Sequence, residues 1–171
     1  AFTMHMLSWL AVDGVAAIVE FPGVLYRGGA EAKIRKYLVE NNYVDAVIQL
    51  PPDLFFGTTI GTCIIVLRKA KKDNAVLFVD ASKQFVRQGN KNKLSPENQE
   101  AILGMLQERA DVDYTAALVD AERIVDNGYN LSVSAYVEAE DTREVIDIAE
   151  LNARIRRIVT HQAELRAGID K

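Results

Sequence analysis

VDAVIQLPPDLFFGTTIGTCIIVLRK, residues 44–69, decides the fold. An apolar run, Val44 to Leu50, ends in Pro51-Pro52, and a second apolar run follows from Thr62 to Leu67. Proline cannot donate to a sheet ladder or continue a helix, so the pair terminates the first run. The connection is too short for a crossover helix, so the two runs pair antiparallel as a hairpin. Its loop carries two adjacent rings, Phe55 and Phe56, at the carboxyl end of the first strand. In open α/β sheets that is the end where ligands sit. Adjacent phenylalanines after a strand commonly plug a core. In a stretch with no acid from Leu54 to Lys72, they also suit stacking on a flat ligand such as a base.

Upstream, Phe2, Met6, Leu7 and Leu10 have helical spacing, and Asp13-Gly14 ends that helix. Val15 to Val19 reads as a buried strand, broken by Phe21-Pro22-Gly23. Val24 to Gly29 reads as a loop whose Tyr26, Arg27 and Gly28 either serve its own structure, the first reading, or face a ligand cleft. Ala30 to Val39 is helical, with Ala30, Ile34, Tyr37 and Leu38 on one face. Strand, helix and strand at this spacing make a βαβ unit whose strands run parallel. Downstream, Ala75 to Val79 is a short strand, and residues 81–94 have the polar, Lys/Asn/Gly-rich composition of a mobile loop. Ser95-Pro96-Glu97 starts a helix that runs to about Arg109, with Ile102, Leu103 and Leu106 inward. Ala116 to Val119 is a strand and Asp120 to Val125 a short helix.

The 171 residues, 49% hydrophobic, suffice for one domain with an appendage. The lone cysteine, Cys63, sits in an apolar strand; it excludes an internal disulfide framework and fits a reducing cytoplasm. No apolar run approaches the roughly 20 residues of a membrane span. His5 and His161 are far apart with no carboxylate cluster near either, so neither a metal site nor a Ser-His-Asp hydrolase is supported. A net charge of −4 argues against a free-standing DNA binder. The cations are nonetheless clustered: Lys69, Lys71 and Lys72 close one acid-free stretch, and Lys83, Arg87, Lys91 and Lys93 lie in another. Of these, Lys69, Lys71, Lys72, Lys83 and Arg87 are the first candidate phosphate contacts, set against the ordinary reading of solvated loop charges.

GVLYRGGAEAKIRKYLVENNYVDAVIQLPPDLFFGTTIGTCIIVLRK (residues 23–69) resembles the late motifs of the modification subunit of type I restriction–modification systems. A second signature, NGYNLSVSAYV (residues 127–137), is similar to the segment that closes the catalytic domain of that family. The likeness runs from about residue 5 to residue 137. It implies the distal half of a Rossmann-like α/β methyltransferase sheet, with parallel strands plus an antiparallel hairpin and a C-terminal helical extension. It also implies methyl transfer from S-adenosylmethionine to adenine N6 in DNA, and a base-stacking ring in the loop between residues 50 and 62, with Phe55 the first choice by its distance from the following strand and Phe56 the second. Two motifs of the family are not in this sequence: the Gly-rich turn that binds the cofactor, and the Asn-Pro-Pro-aromatic tetrapeptide that positions the adenine. Pro51-Pro52 follows Leu50, not Asn, and Gly28-Gly29 has no dinucleotide fingerprint around it. The chain therefore reads as a fragment of a longer subunit, with no catalytic residue of its own, and alone it is expected neither to bind S-adenosylmethionine nor to methylate DNA.

Residues 138–171 read as an acidic linker (138–144) and a helix over 145–169. Ile148, Leu151, Ile155, Ile158, Gln162, Leu165 and Ile169 recur in steps of three and four, a heptad seam. Such a helix either folds back on its own domain or docks on a partner. The resemblance implies a specificity subunit as that partner, alongside DNA and the restriction subunit; self-association through the seam is the other route. The alternative for the whole chain is a non-catalytic subunit-assembly module.

Overall fold

The computed structural model describes residues 2–140 and 148–169. The chain divides into two compact units, Ala1–Ala139 and Glu140–Lys171. Residues 141–147, which hold most of the expected acidic linker and the expected start of the tail helix, lie outside the described residues.

The first unit is a five-stranded sheet in the order β1 (Val15–Glu20), β3 (Cys63–Arg68), β2 (Val44–Gln49), β4 (Val76–Asp80), β7 (Ala116–Val119). β2 and β3 form the expected antiparallel hairpin. β1 and β2 run the same way, as the βαβ reading requires, but they are not neighbours. β3 lies between them, antiparallel to both. The crossover helix α2 (Ala30–Glu40) leaves one strand slot open, and the hairpin returns β3 into it. β4 pairs parallel with β2, and β7 antiparallel with β4. The amino ends of β3 and β7 thus share an edge with the carboxyl ends of β1, β2 and β4.

Strand alternation builds a core on each face of the sheet. Val47, Cys63, Ile65, Leu67, Val76 and Phe78 point to one side, beneath α1 (Phe2–Trp9), α2 and α4 (Ala121–Asp126). Ala46, Ile48, Leu77 and Val79 point to the other, beneath α3 (Pro96–Glu108). Cys63 is fully buried, and burial pushes its thiol up to about 12. Ser95 caps α3 as expected: its Oγ accepts from the Asn98 amide at 3.2 Å, and Asn98 Oδ1 accepts from the Ser95 amide at 3.0 Å.

Three helix readings shift. On α2 the buried residues are Arg35, Leu38 and Val39, while Tyr37 is exposed. On α3 Ile102 is buried, Met105 and Leu106 pack behind it, and Leu103 faces water. On α1 Leu7 is buried while Phe2 stands out in solvent.

The expected mobile loop over 81–94 is instead a second small sheet. β5 (Val86–Gln88) pairs with β6 (Lys91–Lys93), Gln88 opposite Lys91, leaving Gly89-Asn90 as a two-residue turn. Gly89 sits at φ +61°, the left-handed value a tight hairpin turn needs at its first position. That composition marks a turn, not a disordered segment.

In the second unit, α5 spans Ile148–Ile169. Ile148, Leu151, Ile155, Ile158 and Leu165 are all exposed. No helix among the described residues is long and apolar enough to cross a membrane.

Candidate functional site

The aromatic loop opens where β2 ends. The Leu50 amide donates to Thr62 O at 2.8 Å, and Gln49 Nε2 donates to the same oxygen at 3.2 Å, closing the base of the loop. Gly61 permits this closure, since a Cβ there would come within 3.1 Å of Leu50 O. Pro51 is buried at the foot of the loop. Beyond it the chain passes through two left-handed residues, Asp53 (φ +58°) and Gly57 (φ +79°), and these throw Phe55 and Phe56 outward. Phe56 is 95% exposed and Phe55 43% exposed. Neither is a core plug. Exposure orders the two rings opposite to the sequence expectation, since Phe56 presents more free surface. Ile60, Phe85 and Val86 are exposed too.

The β5–β6 hairpin holds the loop. Lys91 Nζ donates to Phe55 O at 3.0 Å and Thr58 O at 3.2 Å, and lies 3.8 Å from Asp53 Oδ1. Asn92, 6% exposed, donates from Nδ2 to Pro52 O at 2.8 Å and from its amide to Asp53 O at 3.1 Å. Arg87 donates to Asn92 Oδ1 at 3.0 Å and pairs with Asp53 Oδ2 at 3.4 Å. Sequence reading missed Asp53 and Asn92, and took Lys91 only as one of a cluster of cations; the signal for their bracing role was Gly89-Asn90, which makes a hairpin of this segment.

The candidate phosphate contacts are not one surface. Lys83 and Arg87 follow β4 and lie at the aromatic-loop end of the sheet. Lys69, Lys71 and Lys72 follow β3 and lie at the other end, beside the start of β2, where the Arg68 amide donates to Tyr43 O. A six-residue strand at about 3.3 Å per residue separates the two sets. Lys69 Nζ donates to Leu10 O. Lys71 Nζ donates to Val44 O at 2.7 Å and Ala75 O at 2.8 Å, and burial pulls its pKa down to about 8. Beside it, Asp45 accepts from Arg109 at 2.9 Å and from Arg68 at 3.2 Å. Asp45 sits where the β2–β3 register shifts. Arg109 ends α3 at φ +46°, a left-handed position usually given to glycine. Its bonds to Asp45 and Ala75 O offset that strain. This cluster ties the sheet to α3, and the Lys69 and Lys71 ammonium groups donate to main-chain carbonyls beside it.

The second signature, residues 127–137, packs against α2 and the 3-10 turn Pro22–Leu25. Buried Arg35 joins them: Nε donates to Tyr129 O at 2.9 Å and Nη1 to Val24 O at 2.8 Å. The Leu131 amide donates to Leu25 O at 2.9 Å. Tyr136 stacks on Phe78 with ring centroids 4.3 Å apart, and its hydroxyl donates to Asn130 O at 2.6 Å. The signature is thus a clasp. Tyr26 lines a cavity of about 250 Å³ with Gln49, Asp80, Ser132 and Ser134 at the carboxyl ends of β2 and β4. Arg27 lies over Gly23, where a Cβ would meet its guanidinium at 2.8 Å.

Gly28-Gly29 leads from a 3-10 turn and not from a strand, and a Cβ at either position meets nothing within 4 Å. Among the described residues, no group of three or more His, Cys, Asp or Glu is placed to hold a metal.

A family profile described as N-6 DNA Methylase matches residues 1–145. The chain is 45% identical over 99% of its length to the type I restriction enzyme MpnII methylase subunit of Mycoplasma pneumoniae, and spans 31% of that relative. Among solved structures, the methyltransferase subunit of a type I restriction–modification system from Streptococcus thermophilus is 43% identical over 80% of the chain, with a TM-score of 0.78; 30% of that subunit is covered. The type I restriction enzyme EcoKI M protein superposes over 99% of the chain, covering 44% of its own, with a TM-score of 0.65. At 14% identity that likeness concerns the fold alone.

Proposed function

Because the chain belongs to the N-6 DNA methylase family, we propose that it is a portion of the DNA-methylating subunit of a type I restriction–modification system. The complete subunit transfers a methyl group from S-adenosylmethionine to adenine N6. The chain spans only about a third of its relatives' length. Its own share of the work is to present the target base, not to hold the cofactor.

The observation that carries this reading is the braced loop at the carboxyl end of β2, with Phe56 in solvent and Phe55 half exposed. Methylation of a ring amino group needs the base out of the duplex and held flat. An aromatic side chain stacks on any base, a contact worth about 1–3 kcal/mol. Lys83, Arg87 and Lys93 lie on the same side of the sheet and supply the phosphate contacts, which orient the duplex without reading sequence. Lys69, Lys71 and Lys72, at the far end, are withdrawn from that role. The specificity and restriction subunits are the protein partners, and the exposed apolar seam of α5 is the surface that meets the specificity subunit.

The test is to incubate the complete subunit and its specificity subunit with DNA and isotopically labelled S-adenosylmethionine. Mass spectrometry of the digested DNA should find label in N6-methyladenine. Label in cytosine, or in no base, would overturn the reading. The alternative, a subunit-assembly module with no part in base handling, is favoured by the same exposed seam on α5. It predicts that loop substitutions leave methylation untouched.

A further inference from the structure

We infer that Lys91 and Asn92 are positioning residues for the aromatic loop: they hold its rings where a base can stack, and they do not grip the nucleic acid themselves. The inference rests on reading residues 51–61 as the base-contacting loop.

Phe56 is almost wholly in solvent, so packing of its own ring does not fix it. Its orientation must come from the backbone. That backbone runs between two left-handed residues, Asp53 and Gly57, and from Phe55 to Thr58 its ties to the rest of the described residues come from Lys91. The Lys91 ammonium has three donors; two go to Phe55 O and Thr58 O, and Asp53 lies close by on a third side. A phosphate would have to displace those bonds. Asn92 is buried, with its amide group divided between Pro52 O and Arg87. Four loop carbonyls, those of Pro52, Asp53, Phe55 and Thr58, are therefore held from two adjacent residues of β6. Fixing the loop before binding removes the ordering cost that stacking would otherwise carry. Lys93 is the natural comparison. It lies on the same strand and is exposed, and its side chain makes no hydrogen bond or ion pair among the described residues.

The experiment compares Lys91→Met, Lys91→Arg, Asn92→Ala and Lys93→Met in the complete subunit with its partners. Three quantities are read: the rate of chymotryptic cleavage after Phe55 or Phe56 without DNA, the salt slope of DNA affinity, and kcat and KM for methylation. Lys91→Met keeps the aliphatic stem, and an unchanged thermal midpoint shows it folded; if Asn92→Ala unfolds, Lys91→Met carries the test. Lys91→Met is expected to be cleaved roughly fivefold faster or more, as a loop released from its brace. Its kcat should fall about tenfold, in the range of one lost stack, with an unchanged salt slope and a partial return in Lys91→Arg. Lys93→Met should do the opposite, lowering the salt slope by about one while cleavage stays at the wild-type rate. A Lys91→Met variant with normal cleavage and a slope lowered by about one would make Lys91 a phosphate contact and end the proposal. Should cleavage accelerate while kcat stays normal in Lys91→Met, Phe55→Ala and Phe56→Ala alike, the brace stands and the base-contacting reading of the loop is what fails.

Discussion

Phe56 and Phe78 show what burial decides for one residue type. Phe78 is fully buried beneath Tyr136, and truncating such a ring costs about 3–5 kcal/mol. Phe56 stands in water, so its truncation should leave stability within about 0.5 kcal/mol. Lys71 gives a test at the same scale. Burial holds its folded pKa at about 8 against an ordinary 10.5, with the charges of Asp45, Asp73, Arg68 and Arg109 around it. A base depressed in this way disfavours its protonated form in the fold. The penalty is full below about pH 8 and fades as pH rises toward 10.5, where the unfolded chain also loses the proton. The wild-type chain should therefore gain stability relative to Lys71→Met between those values, measured by denaturant unfolding at a series of pH. A difference that stays flat or shrinks would show that the amine titrates normally. Arg35 is the third case. Arg35→Ala leaves Tyr129 O and Val24 O without their donor, and should destabilise the sheet unit by about 3 kcal/mol. If thermal unfolding shows no loss, the clasp is not held by this side chain.

At the scale of elements, the strands were the most legible part of the sequence, because apolar runs bounded by Pro, Gly and Asn leave little choice. The proline stop at Leu50-Pro51-Pro52 and the short return to Thr62 specify the β2–β3 hairpin outright. Strand order was not legible. Nothing local tells β3 to enter between β1 and β2; that follows from sheet closure over long separations. The hairpin over 86–93 has its one local sign in the Gly89-Asn90 turn, because its polar composition is also that of a mobile loop. Arg35 escaped because a charged residue is rarely expected inside, and only the folded chain brings Tyr129 O and Val24 O to it. The rings were found from sequence, but their exposure depends on Asp53 and Gly57 taking left-handed backbone angles. For α5, the heptad spacing supports a partner surface. Replacing Ile155 and Ile158 together with Asp should abolish binding of the specificity subunit, or self-association in concentrated samples, and leave the sheet unit folded by circular dichroism. Unchanged association would move the contact elsewhere.

The whole molecule carries one end of a methyltransferase sheet, and its chemistry is divided accordingly. β1 pairs on one side only among the described residues, and Val15 and Val19 on it are exposed. An open apolar edge of this kind invites association, so the isolated chain should tend to aggregate on concentration. It also has no glycine-rich turn after a strand, and calorimetry with S-adenosylmethionine should find no micromolar binding to it. Micromolar binding would mean that a cofactor site lies in these 171 residues after all. The central claim is that the aromatic loop is where this chain meets the target adenine. The most direct measurement is the methylation rate of the complete subunit carrying Phe56→Ala, beside Phe55→Ala, on saturating DNA. A loss of one stacked base, about 1–3 kcal/mol or roughly 5- to 150-fold in rate, is predicted with the thermal midpoint unchanged and Phe56 the larger of the two. Wild-type rates in both variants would contradict the account.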